Sequence, residues 1–149
     1  MIIEIIALLV SYSGVFIGKY LSNAAKEEVK DGKNYLLVFK KSLAFLILSY
    51  FFFLMEWPIK MFPLENMFLL FYDLFTFFVI LMVLMFLDYD YAIFGVLFGL
   101  NPAFLMAFLI FIYGFPTGSL MKDNYFKILE KTWIYVLLGL IFLIIGNTF

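Results

Sequence analysis

Long uninterrupted apolar stretches dominate the hydropathy pattern of this chain. Five of them are long enough, or nearly so, to cross a hydrocarbon core of roughly 30 Å as helices of about 20 residues. They cover residues 2–21, 35–57, 67–87, 92–113 and 132–149. These runs lack the strict alternation of apolar and polar residues that is typical of membrane β-strands. The pattern predicts an all-α fold, a polytopic integral membrane helix bundle of about five transmembrane helices forming one domain over residues 1–149.

A different pattern lies between the last two predicted spans. Over about residues 119–131, apolar side chains such as Leu120 and Ile128 share one side of a helix, and Lys122 and Lys127 share the other. This arrangement is typical of a short amphipathic helix that lies in the membrane interface. We expect such a helix to lead into the fifth span.

The composition supports a membrane protein with little extramembrane surface. Hydrophobic residues make up 66% of the 149 residues and charged residues 14%, and the mean hydropathy is +1.09. A soluble domain carries about 45–50% apolar and about 25% charged residues. All ten basic residues are Lys, which is typical of an A+T-rich prokaryotic genome. Nothing in the charge pattern indicates nucleic-acid binding.

The residue types exclude several kinds of catalytic site. The chain has no His and no Cys, so it cannot supply an imidazole base, a thiolate or a Cys/His zinc site. Asp88 and Asp90 form a D-x-D pair between the third and fourth spans, which we interpret as a solvated turn because no further acidic ligand follows at helical spacing. We therefore expect no catalytic residues, no metal site and no cofactor, and we consider an enzyme the less favoured class.

The lysines predict the orientation of the chain. The connection over residues 22–41 is rich in Lys, so the positive-inside rule makes it cytoplasmic and places the N-terminus outside. Five simple spans then leave six Lys inside and four outside. If residues 92–113 instead form a re-entrant segment that turns at Asn101-Pro102, nine Lys lie inside and only Lys60 outside. We prefer five spans, because a re-entrant loop must be shielded from lipid by other protein, and the side of the C-terminus stays open.

Polar residues within the predicted spans are the candidates for a functional site, because polar and ionisable groups are costly inside a membrane. Asp73 is the only acidic residue well inside a span. Ser11, Tyr50 and Asn101 fall at similar depths if the N-terminus is outside. One interpretation is a polar intramembrane site that holds an ion, a proton or a substrate group. The interpretation we favour is hydrogen bonding between helices.

Small residues predict close helix packing in the first span. Gly14 and Gly18 form a G-x-x-x-G motif, which lets a second backbone approach because no side chain separates the two helices. The partner helix belongs either to the same chain, which we favour, or to a second copy.

Taken together, these patterns predict a multi-pass protein of the cell membrane. The function we expect first is that of a binding, scaffold or accessory subunit acting through lipid or protein partners within the bilayer. Its partners would be membrane lipids and, as an assembly, a homo-oligomer or a larger membrane complex. The alternative is a small oligomeric transporter or channel-like protein with Asp73 and Asn101 at its polar site.

Overall fold

In a computed structural model, the chain is described over residues 1–59, 79 and 90–148. Within these ranges every regular element is an α-helix, which confirms the predicted all-helical class. The helices are α1 (Ile2–Ala24), α2 (Lys26–Asp31), α3 (Lys33–Ile59), α4 (Asp90–Leu100), α5 (Phe104–Leu120), α6 (Tyr125–Thr132) and α7 (Ile134–Thr148). Apart from residue 79, the predicted third span over residues 67–87 lies outside the described residues, and so does Asp73.

Three of the described helical stretches are long and apolar enough to cross a membrane. They are Ile2–Ala24, Lys33–Phe51 and Tyr125–Gly146. The third stretch joins α6 and α7, which share one nearly continuous helical path through Trp133. α4 and α5 are shorter apolar helices of 11 and 17 residues.

The chain between Ala92 and Tyr113 is not one continuous helix, in contrast to the preferred span over 92–113. It divides into α4 and α5 at residues 101–103. Pro102 has no N–H and restricts the residue before it to extended conformations, so the helix ends there. The carbonyl of Asn101 instead accepts a hydrogen bond from the N–H of Ala103, at 2.8 Å.

α4 and α5 fold back on each other as a helical hairpin. The ring of Tyr113 on α5 packs edge-on against the ring of Phe94 on α4, with centroids 4.7 Å apart. The hydroxyl of Tyr113 also donates a hydrogen bond to Asp90, the first residue of α4. The two ends of the hairpin therefore lie side by side, and residues 101–103 form its tip.

One further helix packs parallel to each arm of the hairpin, α1 on α5 and α7 on α4. Gly14 and Gly18 of α1 face Phe111 and Phe115 of α5, so residue numbers rise in the same direction along both helices. In the same way, Gly95 and Gly99 of α4 face Tyr135 and Phe142 of α7. The core lies where these pairs meet.

The core consists mainly of large side chains that the solvent does not reach. The largest of them are Leu8, Ile47, Leu48, Phe51, Phe94, Leu97, Phe98, Met106, Ile110, Tyr113, Ile128 and Tyr135. Many apolar side chains of α1 and α3 remain exposed on the outer face of the bundle, as expected for helices that meet lipid.

Candidate functional site

A buried ion pair lies at the open end of the α4–α5 hairpin. The ammonium of Lys40 on α3 is 2.7 Å from Oδ2 of Asp90, whose side chain is only 6% exposed. The hydroxyl of Tyr113 donates a hydrogen bond to the same oxygen. The Lys40 ammonium also lies 5.7 Å from the centroid of the Tyr113 ring, within the range of a cation–π interaction. Three helices are thus tied together at one carboxylate.

The start of α4 places the side chain of Asp90 beside positive charge. Asp90 is the first residue of α4, where the unpaired backbone N–H groups of a helix carry partial positive charge. Lys40 reaches it from α3, which packs along α5. A buried carboxylate without such neighbours would be strongly destabilising.

One side of this carboxylate has no partner. Oδ1 of Asp90 is buried and makes no hydrogen bond to any part of the chain that the structure describes. The hydroxyl of the adjacent Tyr91 is buried as well and interacts with Thr117. Most buried polar atoms in folded proteins are hydrogen-bonded. Oδ1 of Asp90 therefore remains able to bind a ligand.

Asp90 and Tyr91 line a cavity of about 590 Å³. Its walls come from α3, α4, α5, α6 and the start of α7. The lining residues are Lys40, Asp90, Tyr91, Ala92, Thr117, Leu120, Met121, Lys122, Asp123, Glu130, Lys131, Thr132, Trp133 and Ile134. The cavity thus combines a charged region with an apolar wall.

The formal charges of the side chains that line the cavity sum to zero. The charged side chains comprise three Lys, two Asp and one Glu. Lys40 pairs with Asp90, and Lys131 pairs with Asp123. The hydrogen bond from Lys131 lowers the pKa of the Asp123 carboxyl group. Among the described residues, Lys122 and Glu130 have no ion-pair partner, so one charge of each sign is open to a ligand.

Several contacts bring residues 114–131 to the same end of the bundle as the lysine-rich connection after α1. The ammonium of Lys19 donates to the carbonyl of Met121 at 2.8 Å. The hydroxyl of Ser119 donates to the carbonyl of Gly18 at 2.9 Å. The cavity therefore lies at the end of the molecule where most described lysines lie.

Each polar candidate from the sequence that the structure describes has its own local contacts. The Ser11 hydroxyl donates to the carbonyl of Leu8 and shares a hydrogen bond with the hydroxyl of Tyr135. Tyr50 is half-buried and packs against the core. Asn101 lies at the tip of the hairpin and uses its backbone carbonyl there.

Gly14 and Gly18 of α1 pack against another helix of the same chain, α5. A Cβ atom on Gly14 or Gly18 would overlap the backbone carbonyls of Phe111 or Phe115 on α5. In return, a Cβ atom on Gly114 would lie 2.5 Å from the backbone of Gly14 and Val15. The two helices thus approach backbone to backbone, through a G-x-x-x-G motif on each.

Sequence reasoning missed the pair formed by Lys40 and Asp90. The sequence predicts a solvated turn at Asp90 and places Lys40 in the lysine-rich connection over residues 22–41, whereas Asp90 is 4% exposed. The sequence spacing does contain a signal for the contact between Asp90 and Tyr113. Asp90 lies eleven residues before Asn101, and Tyr113 lies eleven residues after Pro102. A hairpin that turns at Asn101-Pro102 brings those two residues level. Asp88, the other acid of the D-x-D pair, lies outside the described residues.

Comparison of the chain with protein-family models, with curated proteins and with solved structures finds no match. Within the described residues, no three acidic side chains form a group that could hold a metal ion. The chemistry of the site is accordingly argued from its own side chains.

Proposed function

We propose that this chain is a multi-pass protein of the cell membrane that binds the headgroup of a phospholipid in the cavity beside Asp90. The observation that carries the proposal is the lining of that cavity, which combines lysines, among them Lys122 without an ion-pair partner in the described chain, with apolar side chains. Lysine ammonium groups bind phosphate as point charges. The proposal belongs to the class expected from the sequence, a binding protein with lipid partners.

The apolar wall favours a lipid over a water-soluble phosphate. Leu120, Met121 and Trp133 line the cavity beside the lysines, and Trp133 is 50% exposed. A glycerol backbone and the first methylene groups of an acyl chain would cover these side chains, whereas inorganic phosphate would leave them in water.

The neighbouring helix α6 suits the same location. Ile128 and Thr132 of α6 are buried, while Lys127 and Glu130 are exposed. Because α6 continues almost directly into the apolar helix α7, its exposed charged side chains fit the membrane interface at the start of that span. The cavity beside it would then open at the depth of the lipid phosphates.

We also propose a topology of four spans with the α4–α5 hairpin re-entrant, the alternative left open by the sequence. The contacts of Lys19 and Ser119 support it, because they join residues 114–131 to the end that holds the connection over 22–41. With that end in the cytoplasm, nine Lys lie inside and only Lys60 outside, in agreement with the positive-inside rule.

Cysteine accessibility tests this topology. The native chain has no Cys, so Lys122→Cys and the inside reference Lys33→Cys can each be labelled alone in intact cells. We expect both to react with a membrane-impermeant maleimide only after permeabilisation. Labelling of Lys122→Cys from outside would contradict the re-entrant hairpin.

Tryptophan fluorescence tests the binding of lipid. Trp57→Phe leaves Trp133 as the single tryptophan, inside the cavity lining. We expect a saturable change in its emission when a short-chain phospholipid is added to the purified protein in detergent, and none with inorganic phosphate. Absence of a response to every phospholipid, or an equal response to inorganic phosphate, would overturn the proposal.

A matched pair of lysine variants locates the bound phosphate. Lys122 lines the cavity and Lys127, on α6, does not, yet both are exposed. We expect Lys122→Gln to weaken phospholipid binding about fivefold, because one charge-assisted hydrogen bond is lost. Lys127→Gln should change it less than about twofold. Equal effects would mean that the lipid meets only the general surface charge.

A transporter remains the second candidate, and the hairpin is the observation that favours it. Broken helices that end within a membrane often surround the substrate sites of transport proteins. Asn101 lies at the break between α4 and α5. Uptake of a labelled ion or solute into proteoliposomes, abolished by Asn101→Ala, would favour transport over simple lipid binding.

A further inference from the structure

We infer that the cavity selects a headgroup that carries a protonated amine as well as a phosphate, as in a phosphoethanolamine lipid. This inference rests on the proposed binding of phospholipid and specifies the class of lipid. Two independent features carry it, the unpartnered oxygen of Asp90 and the balance of charge in the lining.

The unpartnered oxygen of Asp90 is a site for a hydrogen-bond donor. Lys40 and Tyr113 both bind Oδ2, whereas Oδ1 is buried and has no partner among the described residues. A buried carboxylate oxygen that lacks a donor is destabilised, because it has lost water without a replacement. A primary ammonium supplies N–H donors and a positive charge to that oxygen.

Glycerol and choline headgroups fit the Oδ1 atom of Asp90 less well than a primary ammonium does. A glycerol hydroxyl has no positive charge, and a choline nitrogen has no N–H.

The charge of the lining favours a zwitterion over an anion. The lining contains three Lys, two Asp and one Glu, so its formal charge is zero. A zwitterionic headgroup keeps it neutral, whereas an anionic headgroup would add a negative charge close to Asp90, Asp123 and Glu130. Like charges at short range in a poorly solvated site are unfavourable.

Burial sets the orientation of the headgroup. Asp90 is 4% exposed, while Lys122 is exposed at the mouth of the cavity. The ammonium therefore enters first and the phosphate stops at Lys122. The glycerol and the first methylene groups then cover Leu120 and Trp133, and the rest of the acyl chains stays outside the cavity.

A series of N-methylated lipids tests the inference on a protein with an unaltered binding site. Dihexanoyl phosphatidylethanolamine, its N-methyl and N,N-dimethyl forms and dihexanoyl phosphatidylcholine keep the same charge but lose N–H donors stepwise. Each is titrated into the Trp57→Phe protein, with dihexanoyl phosphatidylglycerol as the lipid that has no ammonium. We expect phosphatidylethanolamine to bind about tenfold more tightly than phosphatidylcholine and phosphatidylglycerol, with the methylated forms between.

The outcomes separate the two proposals. If phosphatidylcholine and phosphatidylglycerol bind within twofold of phosphatidylethanolamine, the cavity binds phospholipid without selecting the amine, and this inference is wrong while the proposed function holds. If no lipid alters the emission of Trp133, the proposed function is wrong and this inference falls with it.

Two variants locate the amine. Asp90→Asn should abolish the preference for phosphatidylethanolamine, because the amide offers neither a negative charge nor the same acceptor. Glu27→Gln, which removes an exposed acid of α2 that lies outside the lining, should leave the preference intact. Loss of the preference in Glu130→Gln, the unpaired acid of the lining, with retention in Asp90→Asn, would place the amine at Glu130 and overturn the assignment to Asp90. Should Asp90→Asn fail to fold, the lipid series decides alone.

Discussion

The α1–α5 contact and the cavity beside Asp90 lie next to each other but are built in opposite ways. Along α1 and α5, four glycines remove the side chains between two backbones, and a Cβ atom at any of them meets backbone atoms. Around Asp90, side chains of three helices converge on one carboxylate and leave one of its oxygens without a partner in the described chain. The first region is closed, and the second is open.

This difference indicates how stability and binding are divided in the molecule. In lipid, apolar side chains gain little by leaving the solvent, so helices associate through close packing and polar contacts. The glycine contact supplies the close packing. Under the proposed function, the cavity supplies the polar groups that bind the ligand. Substitutions in the first region should unfold the bundle, and those in the second should alter binding.

The largest effect is expected at the closed contact. Gly118→Ala places a Cβ atom on the carbonyl of Val15, and since no rotamer can relieve a backbone overlap, we expect a loss of about 3 kcal/mol. Thermal unfolding in detergent, followed by circular dichroism, measures it. Gly146→Ala is the control, because the nearest atom to its Cβ would be 3.8 Å away. A matching loss in both variants would contradict the role of the close approach.

The next effect concerns the ion pair at the open end. Lys40→Met leaves the Asp90 carboxylate without its counter-ion, and we expect a loss of about 2 kcal/mol. The double variant with Asp90→Asn removes the uncompensated charge and should recover much of that loss. Thermal unfolding of the two single variants and the double variant gives the coupling. Additive losses would mean that the two side chains do not interact.

A smaller effect is expected from the hydroxyl group that shares this carboxylate. Tyr113→Phe removes the donor to Oδ2 of Asp90 but keeps the ring against Phe94, so we expect a loss of about 1 kcal/mol. Tyr125→Phe is the matched control, because its hydroxyl makes only an exposed contact of 3.4 Å with Asn23. Melting temperatures that fall equally in both variants would rule out a special role for the Tyr113 hydroxyl.

The smallest expected effect is a pH dependence of the stability that the Asp123–Lys131 pair contributes at the rim of the cavity. Lys131 lowers the pKa of Asp123 in the folded chain, so the pair adds stability above the ordinary Asp pKa of about 3.9. That contribution disappears as the pH falls through the lowered value. Melting curves between pH 7 and the acid limit, for the native chain and for Lys131→Gln, should diverge at neutral pH and converge in acid. If the melting temperatures of the two proteins differed by the same amount at every pH, the contribution of the Asp123–Lys131 pair would be contradicted.

The helical class follows from the sequence because uninterrupted apolar runs have few alternatives. The break at Asn101-Pro102 was also visible, yet proline alone does not decide between a kink and a reversal. That choice depends on whether other helices cover the hairpin, here α1 on α5 and α7 on α4. Such coverage arises from contacts between residues far apart in the chain, which local patterns do not contain.

The candidate site was harder to predict from the sequence for the same reason. Lys40 and Asp90 are fifty residues apart, and each has an ordinary explanation alone, as a loop charge and as a turn residue. Only the hairpin makes them neighbours. Gly14 and Gly18 were recognisable because both lie on one helix at a spacing with a known use. The polar candidate Asp73 stays a prediction.

The pairing of α1 with α5 also has a consequence for the order in which the protein is assembled during synthesis. Gly14 is made about a hundred residues before its partner Phe111, so at about 5–20 residues per second the ribosome needs roughly 5–20 seconds to supply the second helix. Throughout that interval the glycine stripe of α1 faces lipid or the insertion machinery. Helix α1 thus finds this partner late, and a chain truncated before residue 104 lacks the α5 backbone on which its glycine stripe packs.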